Sequence, residues 1–428
     1  MSRWPNKYVI GLTGNIAVGK SVVRQMLQHL GAYTIDADGL AHQAMSPGAP
    51  AYKPVVETFG QIILNPDKTI NRAMLGSLVF SNPAMLQKLE TITHPIIGQA
   101  ISTLINRAKQ KVIIIEAIKL LEGDLGKAAD AIWVVDAKPQ TQYTRLVGKR
   151  KMSEQDAKQR ILAQNAQSEK LKAASIVINN DGNVEETWKQ VQSAWNKIPI
   201  NAPEPPVEAT PAAAPTSTPT PAAATPPATS TPAATPPAPA STPAPTPAAS
   251  TPAPAEAASA ATVDTEGVTV KRGMPNNAEN IANFINKKSG KTVGRMDVIM
   301  SFGQKSYLIA ETNDQIVGLI GWQVENLITR ADELYLEHGD TRIKVIAALV
   351  RAVEDASKEL QSEVSFVFLP SDASNETLQP FLQSGYEVTT VKEIKVPAWR
   401  EAVQEIITAN PNLTILNKPL GNRILKPI

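Results

Sequence analysis

Residues 8–21 have the sequence YVIGLTGNIAVGKS, in which an apolar run ends in a glycine-rich segment followed by lysine and serine. The run predicts a buried β-strand, and the residues from Lys20 onward have the pattern of an α-helix. Gly14 to Ser21 match the spacing G-x-x-x-x-G-K-S of a phosphate-binding loop. Two glycines allow a tight turn whose N–H groups point at phosphate oxygens. The sequence therefore predicts a nucleotide-binding strand, loop and helix.

The residue types in this loop predict individual roles. Lys20 supplies a cation for the outer phosphates, and Ser21 supplies a hydroxyl that can bind Mg²⁺. The positive end of the helix that follows favours the same anion. We expect the nucleotide to contact the consecutive residues Gly14, Asn15, Ile16, Ala17, Val18, Gly19, Lys20, Ser21 and Val22.

Acidic residues follow two of the next predicted strands. Asp36 and Asp38 come after a short strand, and Glu116 ends the β-branched run VIII that begins at Val112. Ligands bind at the carboxyl ends of parallel strands in an open α/β sheet. Asp38 is thus a candidate catalytic base that accepts a proton from an attacking hydroxyl. Asp36 either associates with Mg²⁺ or caps the next helix, and Glu116 either holds the Mg²⁺ shell with Ser21 or is a solvated strand end.

A group of basic residues lies further along the chain. It comprises Arg145, Lys149-Arg150-Lys151 and Arg160. Taken singly, each is an ordinary exposed helix charge, but together they predict a lid over the triphosphate. A cation in such a lid would neutralise charge in the transition state. Arg145 is the catalytic candidate among them.

The composition excludes several classes of protein. The chain has 428 residues, a formal net charge of +2 and no cysteine. The near-neutral charge gives no sign of a nucleic-acid partner. The lack of cysteine removes disulfides and thiolate metal sites and fits a reducing cytosol, and no apolar run approaches the roughly eighteen residues that cross a bilayer. We expect a cytoplasmic protein without a nucleic-acid or membrane partner, whose oligomeric state the sequence does not indicate.

Three segments of the chain differ sharply in composition. Residues 1–199 alternate apolar runs with helical patterns, which predicts an α/β fold with a parallel sheet covered on both faces. Residues 48–110 form a mostly helical insertion within it. Residues 200–262 are almost entirely Pro, Ala, Thr and Ser, so they cannot bury a core and are predicted to be a disordered linker. Residues 263–428 predict a separate α+β domain.

Local patterns add further expectations. Thr93-His94-Pro95 predicts the start of a helix. In the last segment the predicted order is a strand, two helices, a hairpin, a long helix, a strand and a helix. Residues beyond Trp399 are expected to form one more helix and a tail.

At this point residues 8 to about 196 resemble the dephospho-coenzyme A kinase family. The pairing of Asp36-Ala37-Asp38 with Pro47-Gly48-Ala49-Pro50-Ala51 is much more specific than the phosphate loop. The blocks that carry the resemblance are Gly11 to Ser21, Ile35 to Asp38, Pro47 to Ala51, Phe59-Gly60, Thr93 to Pro95, Leu120-Leu121-Glu122, Arg145 with Arg150, Arg160 to Gln164, and Asn179 to Gly182.

The resemblance implies a phosphotransferase that moves the ATP γ-phosphate to the ribose 3′-hydroxyl of dephospho-coenzyme A, with ATP and Mg²⁺ as cofactors. Asp38 matches the proposed base of the family. The helical insertion matches the part that cradles the substrate, and Arg145 to Arg160 match the lid. One departure is that Glu116-Ala117-Ile118-Lys119-Leu120 stands where the family usually has Asp-x-Pro-Leu-Leu.

Residues 267–396 resemble the GNAT acyltransferase fold, mainly in the order of their predicted elements. Two stretches support this resemblance, Ile316 to Trp322 and Asn375 to Glu387. The loop that binds pyrophosphate in this family needs glycine, yet Val345 stands there, and a β-branched side chain crowds an approaching anion. The resemblance therefore implies a GNAT-like domain that is noncatalytic.

Alternative functions remain open at this stage. The chain could combine a kinase with an N-acetyltransferase, if Arg342 and Lys344 still hold a coenzyme A-like ligand. It could also be another small-molecule kinase of the same fold, such as a nucleoside monophosphate kinase. A third alternative is a nucleotide-dependent scaffold in which the linker joins two interaction modules.

Overall fold

The structure of this chain, a computed structural model, describes residues 3–148, 151–162, 164, 167–199, 265–339, 341–421 and 423–425. The predicted linker at 200–262 lies outside these residues, as do Lys149 and Arg150 of the predicted lid. The described chain therefore consists of an N-terminal part up to Pro199 and a C-terminal part from Thr265.

The N-terminal part is built on a five-stranded sheet with the order β2-β3-β1-β4-β5, in which every pair is parallel. Its strands are β1 (Tyr8–Thr13), β2 (Tyr33–Asp36), β3 (Val112–Glu116), β4 (Ala131–Asp136) and β5 (Ile176–Asn179). β3 is buried along its whole length, as is typical of a parallel strand covered on both faces. The α/β fold predicted from the sequence is confirmed.

Helices connect these strands and supply both halves of the core. Alternate residues of β3 belong to different hydrophobic clusters, Ile113 and Ile115 to one and Val112 and Ile114 to the other. The helices α3, α4 and α5 lie between β2 and β3, where the sequence predicts a helical insertion. The helices are α1 (Lys20–His29), α2 (Ala37–Ala44), α3 (Tyr52–Phe59), α4 (Arg72–Phe80), α5 (Pro83–Arg107), α6 (Asp124–Ala128), α7 (Pro139–Gly148), α8 (Glu154–Leu162), α9 (Gln167–Ala173) and α10 (Val184–Trp195).

The helix start predicted at Thr93-His94-Pro95 is wrong, because α5 runs through Pro95. The helix instead begins at Pro83, where the side chain of Asn82 accepts hydrogen bonds from the N–H groups of Ala84 and Met85. A capping residue followed by proline at the first helical position is a strong start signal. A proline inside a long helix is tolerated when the packing of the buried face outweighs its missing hydrogen bond.

The register of the sheet brings three strand ends together. Leu12 of β1 is paired with Glu116 of β3, and Asp36 of β2 is paired with the same Glu116. The phosphate loop follows β1 directly. β3, which is next to β1, and β2, which is next to β3, therefore present both predicted metal-binding carboxylates at the sheet edge where the loop begins.

The C-terminal part contains a seven-stranded mixed sheet with the order β11-β12-β10-β9-β8-β7-β6. Its strands are β6 (Thr269–Arg272), β7 (Ser306–Thr312), β8 (Gln315–Glu325), β9 (Ile328–Leu336), β10 (Val364–Pro370), β11 (Glu387–Thr389) and β12 (Leu413–Pro419). Its helices are α11 (Ala278–Ser289), α12 (Arg295–Ser301), α13 (Arg342–Glu359), α14 (Asn375–Gln383) and α15 (Pro397–Ala409). The order of elements predicted for this segment is found, with additions.

Three of these strands, β9, β11 and β12, are absent from the expectation. The tail predicted beyond Trp399 forms β12 after α15, and β12 pairs antiparallel with β10. β9 was missed because the charged residues Arg330, Asp332 and Glu333 interrupt its apolar pattern. β11 and β12 pair with each other, and β12 depends on β10, a partner distant in sequence that local patterns do not contain.

The N-terminal and C-terminal parts form one compact unit. Leu40 and Leu104 of the first part and Leu327 and Leu360 of the second belong to one hydrophobic cluster. Polar contacts cross the same boundary, for example from the Gln361 side chain to the carbonyl oxygen of Leu104 at 2.8 Å. Among the described residues, every helix is too short or too polar to cross a membrane.

Candidate nucleotide and phosphoryl-transfer site

The phosphate loop leaves β1 and enters α1 through residues with left-handed backbone. Gly14 has a φ of 148°, Ala17 of 59° and Gly19 of 99°. Gly19 is the N-cap of α1, and a Cβ atom placed there would lie 2.1 Å from Nδ2 of Asn180. Only glycine accepts both this conformation and this close approach. The loop geometry thus requires the second glycine of the motif.

Lys20 is folded back over the loop that precedes it. Its Nζ atom donates hydrogen bonds to the carbonyl oxygens of Gly14 at 3.1 Å and Asn15 at 3.2 Å. The residue is buried, so its ammonium group lies within the loop rather than in solvent. This places a positive charge where the outer phosphates of a nucleotide are expected.

Glutamine side chains meet two backbone N–H groups of the loop. The N–H of Ile16 donates to Oε1 of Gln164 at 2.7 Å, and the N–H of Asn15 donates to Oε1 of Gln167 at 3.1 Å. The amide nitrogen of Gln167 in turn donates to the carbonyl oxygen of Val135 at 3.0 Å. These loop N–H groups are therefore oriented toward oxygen acceptors, which is the orientation that phosphate binding uses.

A buried ion pair lies below the loop. Nε of Arg24 is 2.7 Å from Oε2 of Glu116, and the hydroxyl of Ser21 donates to Oε1 of the same carboxylate at 3.3 Å. Burial raises the pKa of Glu116 and the Arg24 guanidinium opposes this. Burial would lower the pKa of Arg24, but the negative charges of Glu116, Asp36 and Glu325 raise it. Arg24 is thus held charged, and Glu116 is a buried strand end rather than a solvated one.

Asp36 is the N-cap of α2. Its Oδ1 accepts a hydrogen bond from the N–H of Gly39 at 2.9 Å, which is the structural alternative that the sequence left open. The other oxygen of its carboxylate is not used by this cap. Since Asp36 is also the sheet neighbour of Glu116, the cap and a role near a cation are compatible.

Asp38 lies in the first turn of α2 and faces the loop after β3. Its Oδ2 accepts a hydrogen bond from the N–H of Ile118 at 3.1 Å, and the hydroxyl of Thr13 donates to the carbonyl oxygen of Ile118 at 3.2 Å. Although Asp38 is exposed, the surrounding protein partly desolvates it and raises the pKa of its carboxyl. Asp36 raises this pKa further, while the Ile118 N–H and Lys20 oppose the rise.

Arg145 supports the loop from α7. Its Nη1 donates to the carbonyl oxygens of Ala17 at 3.1 Å and Val18 at 3.0 Å, and its Nη2 donates to that of Asn180 at 2.6 Å. The guanidinium is therefore bound to backbone on the loop. Arg160 lies exposed on α8.

The remaining predicted contact residue belongs to the helix rather than the loop. The N–H of Val22 donates to the carbonyl oxygen of Gly19 at 3.1 Å. Such a bond is that of a first helical turn. The N–H of Val22 is therefore used by a hydrogen bond within α1.

Sequence reasoning assigned no role to several residues that hold the loop. Nδ2 of Asn180 donates to the carbonyl oxygen of Val18 at 2.7 Å, and its Oδ1 accepts from the hydroxyl of Thr187 at 2.8 Å. Nζ of Lys170 donates to Oδ1 of Asn15 at 2.9 Å. Asn180 could have been found, because it directly follows β5 at the edge where ligands bind. Lys170 and Arg24 look like ordinary charged residues of a helix, so the sequence around them does not indicate that they contact the loop or a strand end.

The oxygen atoms near the loop suit a hard cation. Ser21, Asp36 and Glu116 present hydroxyl and carboxylate oxygens, and Mg²⁺ prefers one or two carboxylates together with waters and phosphates. In the described part of the chain no group of three or more His, Asp or Glu side chains could hold a metal by itself. The donor set therefore fits a Mg²⁺ that arrives with a nucleotide, not a metal caged by protein.

The N-terminal part of the chain is similar to known proteins. The dephospho-CoA kinase family model matches residues 8–186. A dephospho-CoA kinase of Geobacter metallireducens is 43% identical over 192 residues, which are 44% of this chain and 96% of the relative. One of Streptomyces avermitilis is 41% identical over 197 residues, 46% of this chain and 96% of the relative.

A solved structure has also been found similar to part of the chain. It is an acetyltransferase of the GNAT family from Streptococcus pneumoniae, 8% identical, covering 36% of this chain and 99% of its own, with a TM-score of 0.28. That score is too low to support a statement about function. The curated relatives, by contrast, are matched over nearly their whole length, and the chain belongs to the dephospho-CoA kinase family.

Proposed function

We propose that the chain transfers the γ-phosphate of ATP to the ribose 3′-hydroxyl of dephospho-CoA, yielding CoA and ADP. The observation that carries the proposal is the position of Asp38 beside the phosphate loop. Its carboxylate is fixed by the Ile118 N–H at 3.1 Å and is influenced by the charge of Lys20. A base and a phosphate-binding cation within electrostatic reach are what phosphoryl transfer to a hydroxyl requires.

The proposed reaction balances with groups of this chain. Asp38 accepts the proton of the 3′-hydroxyl as its oxygen forms a bond to the γ-phosphorus. The bond from that phosphorus to the β–γ bridging oxygen breaks, and ADP leaves. Lys20 and the loop N–H groups stabilise the charge on the transferring group, and the end of α1 adds to the same field. The raised pKa of Asp38 makes it a better proton acceptor than an ordinary aspartate.

Ser21 and Glu116 would hold Mg²⁺, with Asp36 on the adjacent strand. When bound, the cation supplies charge neutralisation for the β- and γ-phosphates. Arg24 keeps one Glu116 oxygen 2.7 Å away, so Oε1 faces the Ser21 hydroxyl. We propose this orientation as the function of the buried pair.

We propose that Arg145 positions the loop. Its guanidinium binds two loop carbonyl oxygens and that of Asn180. The bidentate fork suits this task because its donors lie in one plane. Its positive charge lies next to the loop and contributes to the field that holds the triphosphate.

The C-terminal part is proposed not to transfer acyl groups. Val345 is buried, and its side chain packs close to Gly318, as does that of Leu349, so it does not expose bare backbone to an anion. Arg342 donates to the hydroxyl of Thr377 at 3.0 Å. Arg342 and Val345 of this segment thus have structural partners. ATP and dephospho-CoA are the proposed ligands, and a cytoplasmic location stays a prediction.

A coupled ADP-release assay with the full chain tests the proposed function. The acceptors are dephospho-CoA, AMP, CMP and UMP at equal concentration, and mass spectrometry identifies the phosphorylated product. We expect turnover with dephospho-CoA and a product that carries one additional phosphate. A higher kcat/KM for any nucleoside monophosphate would replace this proposal with the nucleoside monophosphate kinase alternative.

A further inference from the structure

A tight turn joins β8 to β9 in the C-terminal part. Its two central residues, Asn326 and Leu327, have φ values of 50° and 64°. Two successive left-handed residues give the hairpin turn that matches strand twist, but this backbone is costly for leucine. The surrounding structure holds it: the carbonyl oxygen of Leu327 accepts from the N–H of Glu363 at 2.7 Å and from the hydroxyl of Ser362 at 3.1 Å.

This turn touches the helix that carries the proposed base. Nε2 of Gln43, in α2, donates to the carbonyl oxygen of Asn326 at 2.5 Å. A Cβ atom placed on Gly39 would lie 1.9 Å from Oδ1 of Asn326. The Asn326 amide therefore lies directly against the backbone of Gly39. Gly39 is the residue whose N–H binds the Asp36 cap.

Apolar contacts reinforce the same junction. Leu327 is buried and shares a hydrophobic cluster with Leu40 of α2 and Leu104 of α5. All three line a cavity of about 30 Å³ together with Asn326. The turn and α2 therefore share buried apolar contacts.

The turn also reaches the buried ion pair. Glu325, which precedes Asn326, lines a cavity of about 260 Å³ together with Ser21 and Arg24. Its negative charge acts on Arg24, the partner of Glu116. Residues 325–327 of the C-terminal part thus contact α2, which carries Asp38, and also line the cavity beside Ser21 and Arg24.

We propose that the turn of residues 325–328 is a positioning element for phosphoryl transfer, which holds the first turn of α2 and so fixes the reach of Asp38. The inference rests on the proposed function of Asp38 as base. Asn326 and Leu327 are positioning residues, because they touch α2 and not the reacting atoms. A displacement of about 1 Å at a reacting group costs roughly 100-fold in rate, so a rigid support at this point matters.

A pair of substitutions tests this contact. Gly39→Ala introduces a methyl group against the Asn326 amide, and Asn326→Gly removes that amide while keeping a residue that accepts a φ of 50°. Without a brace, Gly39→Ala would favour α2, since alanine is the better helix former. We expect it instead to lower kcat about 10- to 100-fold with KM for ATP unchanged.

The effect of Gly39→Ala on kcat should reverse in a chain that also carries Asn326→Gly. Asn326→Gly alone should loosen α2 and lower kcat by less than Gly39→Ala does. In the double variant, the alanine methyl group fills the space left by the Asn326 amide, so kcat should be higher than in Asn326→Gly alone. A general loss of stability cannot produce this reversal. The matched control is Asn313→Gly in the exposed turn between β7 and β8, where Asn313 has a φ of 49°. It should leave kcat unchanged.

Hydrogen exchange of the α2 amides provides a measurement that needs no turnover. We expect faster exchange at residues 39–44 in Asn326→Gly than in Asn313→Gly, and unchanged exchange in β3. If the wild type phosphorylates dephospho-CoA but Gly39→Ala has normal kcat, the inference fails while the proposed function stands. If the wild type is inactive on dephospho-CoA, the proposed function fails, and equal exchange in the two turn variants then refutes the brace independently.

Discussion

The carboxylate of Asp38 is held by the backbone N–H of Ile118, 3.1 Å from Oδ2. This bond joins the first turn of α2 to the loop that follows β3. It leaves Oδ1 outside the hydrogen bond. The pairing therefore fixes the aspartate without using the oxygen that a base needs.

Asp38→Asn should abolish most turnover while ATP still binds. The amide cannot accept the hydroxyl proton, and loss of a general base lowers rates by about 10²- to 10⁴-fold. Its oxygen can still accept from Ile118, so the fold is preserved. Steady-state kinetics and calorimetric ATP titration measure the two effects, with Asp314→Asn in an exposed turn as control. A kcat within about twofold of wild type would refute the base assignment.

Asp36→Asn should move the acid side of the pH profile to lower pH. Asparagine caps a helix as well as aspartate does, so α2 is kept, but the negative charge that raises the pKa of Asp38 is removed. A base with a lower pKa stays deprotonated, and hence competent, at lower pH. The pH dependence of kcat/KM for dephospho-CoA measures this. An unchanged acid limb would show that Asp38 is not the titrating group.

Lys20→Ala should lose nucleotide affinity as well as rate. The ammonium is buried within the loop, and the same charge acts on bound ATP and on the transition state. Both Kd for ATP and kcat should therefore worsen. Lys189→Ala on the exposed face of α10 is the control and should change neither. An altered kcat with a normal Kd would place the lysine in the transition state alone.

Arg145→Lys should weaken ATP binding more than it slows the bound complex. An ammonium cannot span three carbonyl oxygens as the guanidinium does, so the loop loses its support but the charge remains. We expect a raised KM for ATP with kcat reduced far less. Steady-state kinetics with varied ATP decide this. A kcat loss as large as that of Lys20→Ala, at unchanged KM, would instead indicate direct contact with the transition state.

The phosphate loop and the α/β sheet could be predicted because their determinants are local. Gly14 to Ser21 form one continuous motif, and the strand runs alternate with helices along the sequence. Asp36 and Glu116 could be placed near it because parallel strands end at one edge. The hydrogen bonds of Gln167 and Arg145 to the loop could not be predicted, because they depend on how helices distant in sequence pack.

The contact between the N-terminal and C-terminal parts could not be predicted from the sequence either. Gly39 looks like an ordinary residue of a short helix, and Asn326 looks like an ordinary turn residue. They are 287 positions apart in the sequence, and only the structure shows that they are in direct contact. Composition had indicated independent segments joined by a linker, because a linker pattern says nothing about whether its flanking parts pack together.

The final prediction concerns the acid stability of a second contact between the parts, which His29 and Phe302 form. Nε2 of His29 in α1 donates to the carbonyl oxygen of Phe302 at 3.1 Å, and their rings meet edge to face at 5.2 Å. Burial and the positive charge of Arg272 lower the pKa of His29 from 6.5 to about 4, although hydrogen bonding to the backbone of Phe302 and Lys305 opposes the fall. The neutral ring is therefore the form that the folded contact accepts.

The stabilisation from neutral His29 is complete above its unfolded pKa of 6.5 and is lost as pH falls toward about 4. The difference between these values corresponds to at most about 3 kcal/mol. His29→Gln keeps a donor for Phe302 but does not titrate, so the free energy of unfolding should fall less between pH 7 and pH 4 in this variant than in wild type. Urea denaturation at both pH values measures the change, with exposed His338→Gln as control. Equal losses in wild type and His29→Gln would show that the contact is insensitive to this histidine, since protonation is the one difference that the substitution removes.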